Sequence, residues 1–134
     1  MLKIISPRKA LIATSLSLFL LTGCETNPVS GRQQLILVSE DQAQQASAQA
    51  YAQTLSQAQS KGKLNADAAL TARVKRITDR LVVQAGNMYP ASRNWKWSIA
   101  VIDEPQINAW AMPGGKMAIY TGIIQKLSLT DDEI

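Results

Sequence analysis

Apolar and polar positions along this chain follow two periods, one helical and one extended. From Glu40 to about Ser60 neither Gly nor Pro interrupts, and Ala43, Ala46, Ala50, Tyr51, Leu55 and Ala58 recur on one side at helical spacing. Ser39 stands three residues before Gln42, the S-x-x-Q form of a capping box, so a helix is predicted to start there. Its stripe is mostly alanine, which buries little area but lets a neighbour approach closely; the Gln-rich opposite face reads as solvated. Ser60-Lys61-Gly62-Lys63 ends this helix, and Asn65 or Asp67 caps a second one. There Leu70, Val74, Ile77 and Leu81 form an amphipathic stripe, Arg73, Lys75, Arg76 and Arg80 lie on or beside the outer face, and Gly86-Asn87 predicts the C-terminal cap.

The period then changes to two. In Asn94 to Asp103, Trp95, Trp97, Ile99 and Val101 point one way and Lys96, Ser98 and Ala100 the other, which predicts a half-buried strand. Asp103-Glu104-Pro105 ends it; the adjacent carboxylates read as a loop pair or, alternatively, as an acid and base. Ile107 to Gly122 follows, two apolar runs flanking Pro113-Gly114-Gly115. Proline presets one φ and glycine supplies the positive φ of a tight reversal, so the stretch predicts a β-hairpin. The fold class is therefore α+β, two N-terminal helices followed by a small sheet with a β-hairpin.

Ahead of these elements, Lys3, Arg8 and Lys9 precede an uncharged run from Ala10 to Leu21. A spanning helix needs about 20 apolar residues, so this run is better suited to a signal-peptide h-region. Leu21-Thr22-Gly23-Cys24 resembles the bacterial lipobox, in which the cysteine is diacylated and the peptide before it is cut. The expected organisation is a lipoprotein signal peptide over 1–23, a lipidated tether over 24–38 and a folded domain over 39–134. Within the tether, Gln33 to Val38 is an apolar run that reads either as a strand or as a segment pinned to the domain. The net charge of +4 shrinks once the signal segment is removed, leaving 11 basic against 10 acidic side chains. With no basic cluster interleaved with aromatics, no nucleic-acid partner is expected. Glu25, rather than Asp, follows the cysteine, which points to the outer membrane, facing the periplasm.

Near the end, Thr130 stands three residues before Glu133, a full capping box, with Asp131 and Asp132 where a helix start favours negative charge. A helix start with no helix after it cannot offset nucleation entropy, so the chain is read as the front portion of a longer protein.

Asn108-Ala109-Trp110-Ala111-Met112-Pro113-Gly114-Gly115, then Tyr120-Thr121-Gly122, then Asp132-Glu133-Ile134, resembles the HtpX-like and CAAX-prenyl-protease-like zinc metallopeptidases, in their lipid-anchored periplasmic branch. Asn27-Pro28-Val29-Ser30-Gly31-Arg32 resembles the segment after the lipobox in those lipoproteins. The resemblance implies an incomplete zincin-type domain whose H-E-x-x-H helix, with Zn2+ and the general base, would follow Ile134. The sequence contains no histidine. No residue here is therefore assigned to catalysis or to metal, and no Zn2+ is expected to bind this chain. The resemblance also implies that Asn108, Ala109, Trp110 and Ala111 form a substrate-pairing edge strand, with Pro113, Gly114 and Gly115 as turn residues. Spacing alone equally allows Trp110 to be a core aromatic. The implied substrates are unfolded or misassembled envelope proteins, reached from a membrane anchor at Cys24. The competing reading is a non-enzymatic periplasmic lipoprotein that captures peptides with the hairpin edge.

Overall fold

A computed structural model describes residues 38–134 together with the backbone of Cys24–Thr26 and Gln33–Leu35. The predicted signal peptide and the Asn27–Arg32 segment lie outside the described residues. The chain divides into two units, Met1–Leu37 and Val38–Ile134. In the first, β1 (Cys24–Thr26) pairs antiparallel with β2 (Gln33–Leu35), so the apolar run at Gln33 begins as a strand.

The second unit holds α1 (Glu40–Ser60), α2 (Ala68–Met88), a 3-10 turn (Pro90–Asn94), β3 (Ser98–Ile102), β4 (Ala109–Met112), β5 (Lys116–Tyr120) and α3 (Thr121–Lys126). The predicted α-α-β-β-β order is present. Ser39 caps α1 through a complete capping box with Gln42. Gly62, at φ 67°, ends it in a Schellman turn, with the Gly62 N–H donating to Gln59 and that of Lys63 to Ala58. Of the two predicted caps for α2, Asp67 is the one used, accepting from the Leu70 N–H at 2.9 Å. Asn65 instead exchanges hydrogen bonds with the backbone of Val101, extending the sheet by one rung beyond β3.

The sheet order is β3-β5-β4, with β3 parallel to β5 and β4 antiparallel to it. The hairpin's second arm is thus central and its first arm is an edge. Even-numbered positions face α1: Ala100, Ile102 and Ala118 pack with Tyr51 and Ala58. Odd-numbered positions face α2: Val101 and Ile119 pack with Val74 and Ile124. The 38–134 unit is therefore layered helix, sheet, helix.

Four expectations change. The strand predicted as half-buried is covered on both faces, with Ala100 and Val101 both buried, because each helix takes one side. Trp97 stays on the side of Ile99, lining the α2-side groove with it, but Trp95 does not continue the face and instead donates from Nε1 to Glu40 at the start of α1. The 3-10 turn precedes them, Trp97 Nε1 donates back to the Ser92 carbonyl, and Trp95 packs against Trp97 and Tyr89. On α1 the buried face runs through Ser47, Tyr51 and Ala58, leaving Ala46 and Ala50 exposed. The larger Tyr51 fixes which face turns inward, and alanines beside it follow. Finally, α2 continues past Gly86 to Met88; the glycine is buried and makes room for Arg93, whose Nε donates to its carbonyl at 2.9 Å.

Candidate functional site

The hairpin turns at Pro113–Gly115, with Gly114 at φ 77° and Gly115 at φ 73°. Gly115 is needed twice over, since a Cβ there would also sit 2.5 Å from the Trp97 ring. The register of β4 on β5 pairs Ala109 with Ile119, Trp110 with Ala118 and Ala111 with Met117. Tyr120 N–H donates to the Asn108 carbonyl at 3.1 Å, which sets the phase of the ladder. Hydrogen-bonded pairs alternate in an antiparallel ladder, so Asn108, Trp110 and Met112 direct their backbone groups into β5. The N–H and C=O of Ala109 and Ala111 then point outward, along an edge that no other strand occupies among the described residues.

The side chains divide the same way. Ala109 and Ala111 are exposed and line an apolar groove of 350 Å³ between β4 and α2, whose walls include Leu81, Val82, Met117 and Ile134. Trp110 is half-buried, with its ring edge-on to Tyr51 at 5.9 Å and an interplanar angle of 85°. Burial of that tyrosine pushes its pKa up, and Ser98, at 3.0 Å from its hydroxyl, opposes the shift. Asn108 lies one position before the strand and contributes its carbonyl to β5.

A joint that the sequence reading missed anchors the far end of β5. Thr121 is buried; its Oγ1 donates to Asp103 Oδ1 at 3.0 Å and lies 3.2 Å from the Glu104 carbonyl, which also accepts from the Gly122 N–H at 2.9 Å. Asp103 and Glu104 therefore have separate partners, since Glu104 pairs with Lys63 Nζ at 2.8 Å. Their arrangement matches the loop-pair reading and gives no shared acid and base. Thr121-Gly122 following a strand was the available signal, but nothing local names its partner across the sheet.

Beyond α3 the chain reverses at Ser128 and presents Thr130 to Glu133. The Thr130 N–H donates to Glu133 Oε2 at 2.8 Å and the Thr130 hydroxyl to the same oxygen at 2.8 Å. Half of the predicted capping box, the carboxylate reaching back, is thus formed. These bonds, the backbone one foremost, hold the Glu133 carboxyl below its ordinary value. A lowered folded-state pKa contributes stability above the unfolded carboxylate range, and that contribution is lost as pH falls through the folded value. An NMR titration of Glu133 is therefore expected to show a midpoint below that of glutamate in an unstructured peptide. A midpoint at or above the peptide value would mean that the cap does not form in solution.

A profile of peptidase family M48 matches residues 68–134, which carry α2, the sheet and the Thr130 turn. The chain belongs to peptidase family M48. Among curated proteins it is similar to the mitochondrial metalloendopeptidase OMA1 of Homo sapiens, 30% identical over 113 residues, covering 84% of this chain and 21% of that protein. The Bos taurus counterpart is 28% identical over the same share of each chain. The chain thus spans about a fifth of the length of these relatives. No solved structure matches.

M48 peptidases are zinc metallopeptidases. The residues present do not fit a zinc centre: the sequence has no histidine, and among the described residues no three of His, Cys, Asp and Glu gather to hold a metal. What the described residues of this M48 chain do contain is a strand edge that no other described strand covers, an apolar groove beside it, and a capped turn leading onto that groove.

Proposed function

We propose that this chain is the substrate-side portion of a lipid-anchored zinc metalloendopeptidase of the HtpX-like branch, facing the periplasm from the outer membrane. Unfolded or misassembled envelope proteins are its substrates. The observation that carries this reading is the outward main chain of Ala109 and Ala111, derived from the β4 register and the Asn108–Tyr120 bond. An extended peptide that adds to this edge gains main-chain hydrogen bonds irrespective of its sequence, which suits an enzyme acting on unfolded chains. The membership in family M48 supports zinc-dependent hydrolysis in the whole protein. The Thr130 turn, with Ile134 at the groove, supports a helix laid along the odd-numbered face of the hairpin. The chain's cysteine, Cys24 after Leu-Thr-Gly, supports the anchor, and Glu25 supports the outer-membrane address.

Two measurements test the two halves. The coding frame after the Ile134 codon is expected to continue and to encode H-E-x-x-H within a few residues. An in-frame stop there, with the 134-residue chain folding as a stable monomer, would favour a non-enzymatic binding module and overturn the peptidase reading. Metabolic labelling with radioactive palmitate is expected to mark the wild-type protein and to miss Cys24→Ser. Equal labelling of both would remove the anchor at this cysteine.

A further inference from the structure

The charged residues of α2 read as a solvated face, and Lys75 fits that description, pairing with Asp79 at 2.8 Å with both side chains well exposed. Arg73 does not. Its Nε donates to Asp131 Oδ1 at 2.6 Å while its Nη2 donates to the Leu129 carbonyl at 2.8 Å, and its side chain is 28% exposed. An exposed ion pair by itself carries little, because water screens it and two long side chains must be ordered. Here the planar fork also holds a part-buried backbone carbonyl, and its two bonds span three consecutive residues. Both contacts fall directly after Ser128, which adopts φ 52°, an uncommon conformation for a residue with a side chain. Leu129 and Ile134 on either side pack against the core formed by Val74, Val101 and Ile119.

We propose that Arg73 is a positioning residue, a latch that fixes the direction in which the chain leaves the sheet after Ser128. It sets Thr130 as the helix cap and lays Ile134 into the groove beside β4. The consequence for hydrolysis rests on the function proposed above, in which this turn begins the helix beside the substrate edge.

The latch is read by amide hydrogen exchange in the full chain. Leu129, Thr130, Glu133 and Ile134 N–H groups all have acceptors, so each reports on the turn. In Arg73→Met these four amides are expected to exchange roughly tenfold faster or more, while amides of β3 and β5 stay unchanged. Arg73→Lys, which keeps the charge and loses the fork, is expected to fall between wild type and Arg73→Met. Asp131→Asn should lose less than Arg73→Met, since the carbonyl bond survives. Lys75→Met, on the same helix, should leave the turn unaffected. Unchanged exchange at the turn in Arg73→Met, or an equal rise across the whole sheet, would overturn the latch. None of these readouts needs hydrolysis, so a missing H-E-x-x-H motif would sink the proposed function and leave the latch standing, and flat exchange would do the reverse.

Discussion

Gly122→Ala is expected to lower the stability of the 38–134 unit by about 3 kcal/mol or more, the upper range for overpacking a tight site. A Cβ at this position would lie 2.3 Å from the Pro105 carbonyl carbon, and 2.5 Å from both the Pro105 and Gln106 oxygens. All three are backbone atoms, so no side-chain rotation can relieve the contact. Relief would require moving the Asp103–Gln106 loop away from Thr121, breaking the bonds that Thr121 and Gly122 make to Asp103 and Glu104. For a unit of this size the loss corresponds to a fall in melting temperature of roughly 12 °C or more. Thermal unfolding followed by circular dichroism measures it. A fall of only a degree or two would show that the loop is free to shift and that the joint is not tight in solution.

That joint also marks where reading the sequence reaches its limit. Helix starts were legible because their signals are local: Ser39 with Gln42 and Asp67 with Leu70 act within one turn, and the Thr130–Glu133 pair, equally local, forms a turn. The hairpin was legible for the same reason, since Pro113-Gly114-Gly115 carries its own backbone requirement. The central place of β5 was not, because parallel pairing with β3 joins residues 18 positions apart, such as Ser98 and Lys116, and no local pattern specifies that partner. Once β5 is central, both faces of the sheet are covered, and the alternation in β3 no longer separates a wet side from a dry one. Arg73 was misread on similar grounds. Spacing places it on the outer side of a helix, and its use depends on a turn 56 residues downstream. The site followed the same division: the turn glycines and the alternation along β4 were visible, while the outward phase of Ala109 and Ala111 came from one hydrogen bond at Asn108.

Trp110→Ala is expected to destabilise the unit by about 2 to 3 kcal/mol, below the 3 to 5 typical of a fully buried tryptophan because this residue is only partly buried, on an edge strand. The resemblance to metallopeptidases had offered Trp110 as a cleft residue, while its spacing allowed a core role, and the two roles predict different losses. In the fold its ring meets Tyr51 edge-on and packs on the α1-side cluster, although Trp110 also borders the groove that Ala109 and Ala111 line. A ring serving only the substrate would cost little stability when removed. A ring bracing β4 against α1 would cost the stated amount, and the cost would depend on Tyr51. The double-mutant cycle of Trp110→Ala with Tyr51→Leu separates these cases, with a coupling of about 0.5 to 1.5 kcal/mol expected for an edge-to-face pair. Zero coupling together with unchanged stability would return Trp110 to the substrate side. Trp110→Phe, which keeps an aromatic edge on Tyr51, is expected to recover most of the loss. The main-chain edge at Ala109 and Ala111 would stay in place in that variant, so peptide binding should survive Trp110→Phe and weaken in Trp110→Ala, where β4 loses its brace. In that arrangement the tryptophan holds the strand, and the two alanines, too small to obstruct the edge, leave its hydrogen-bonding groups open to an incoming chain.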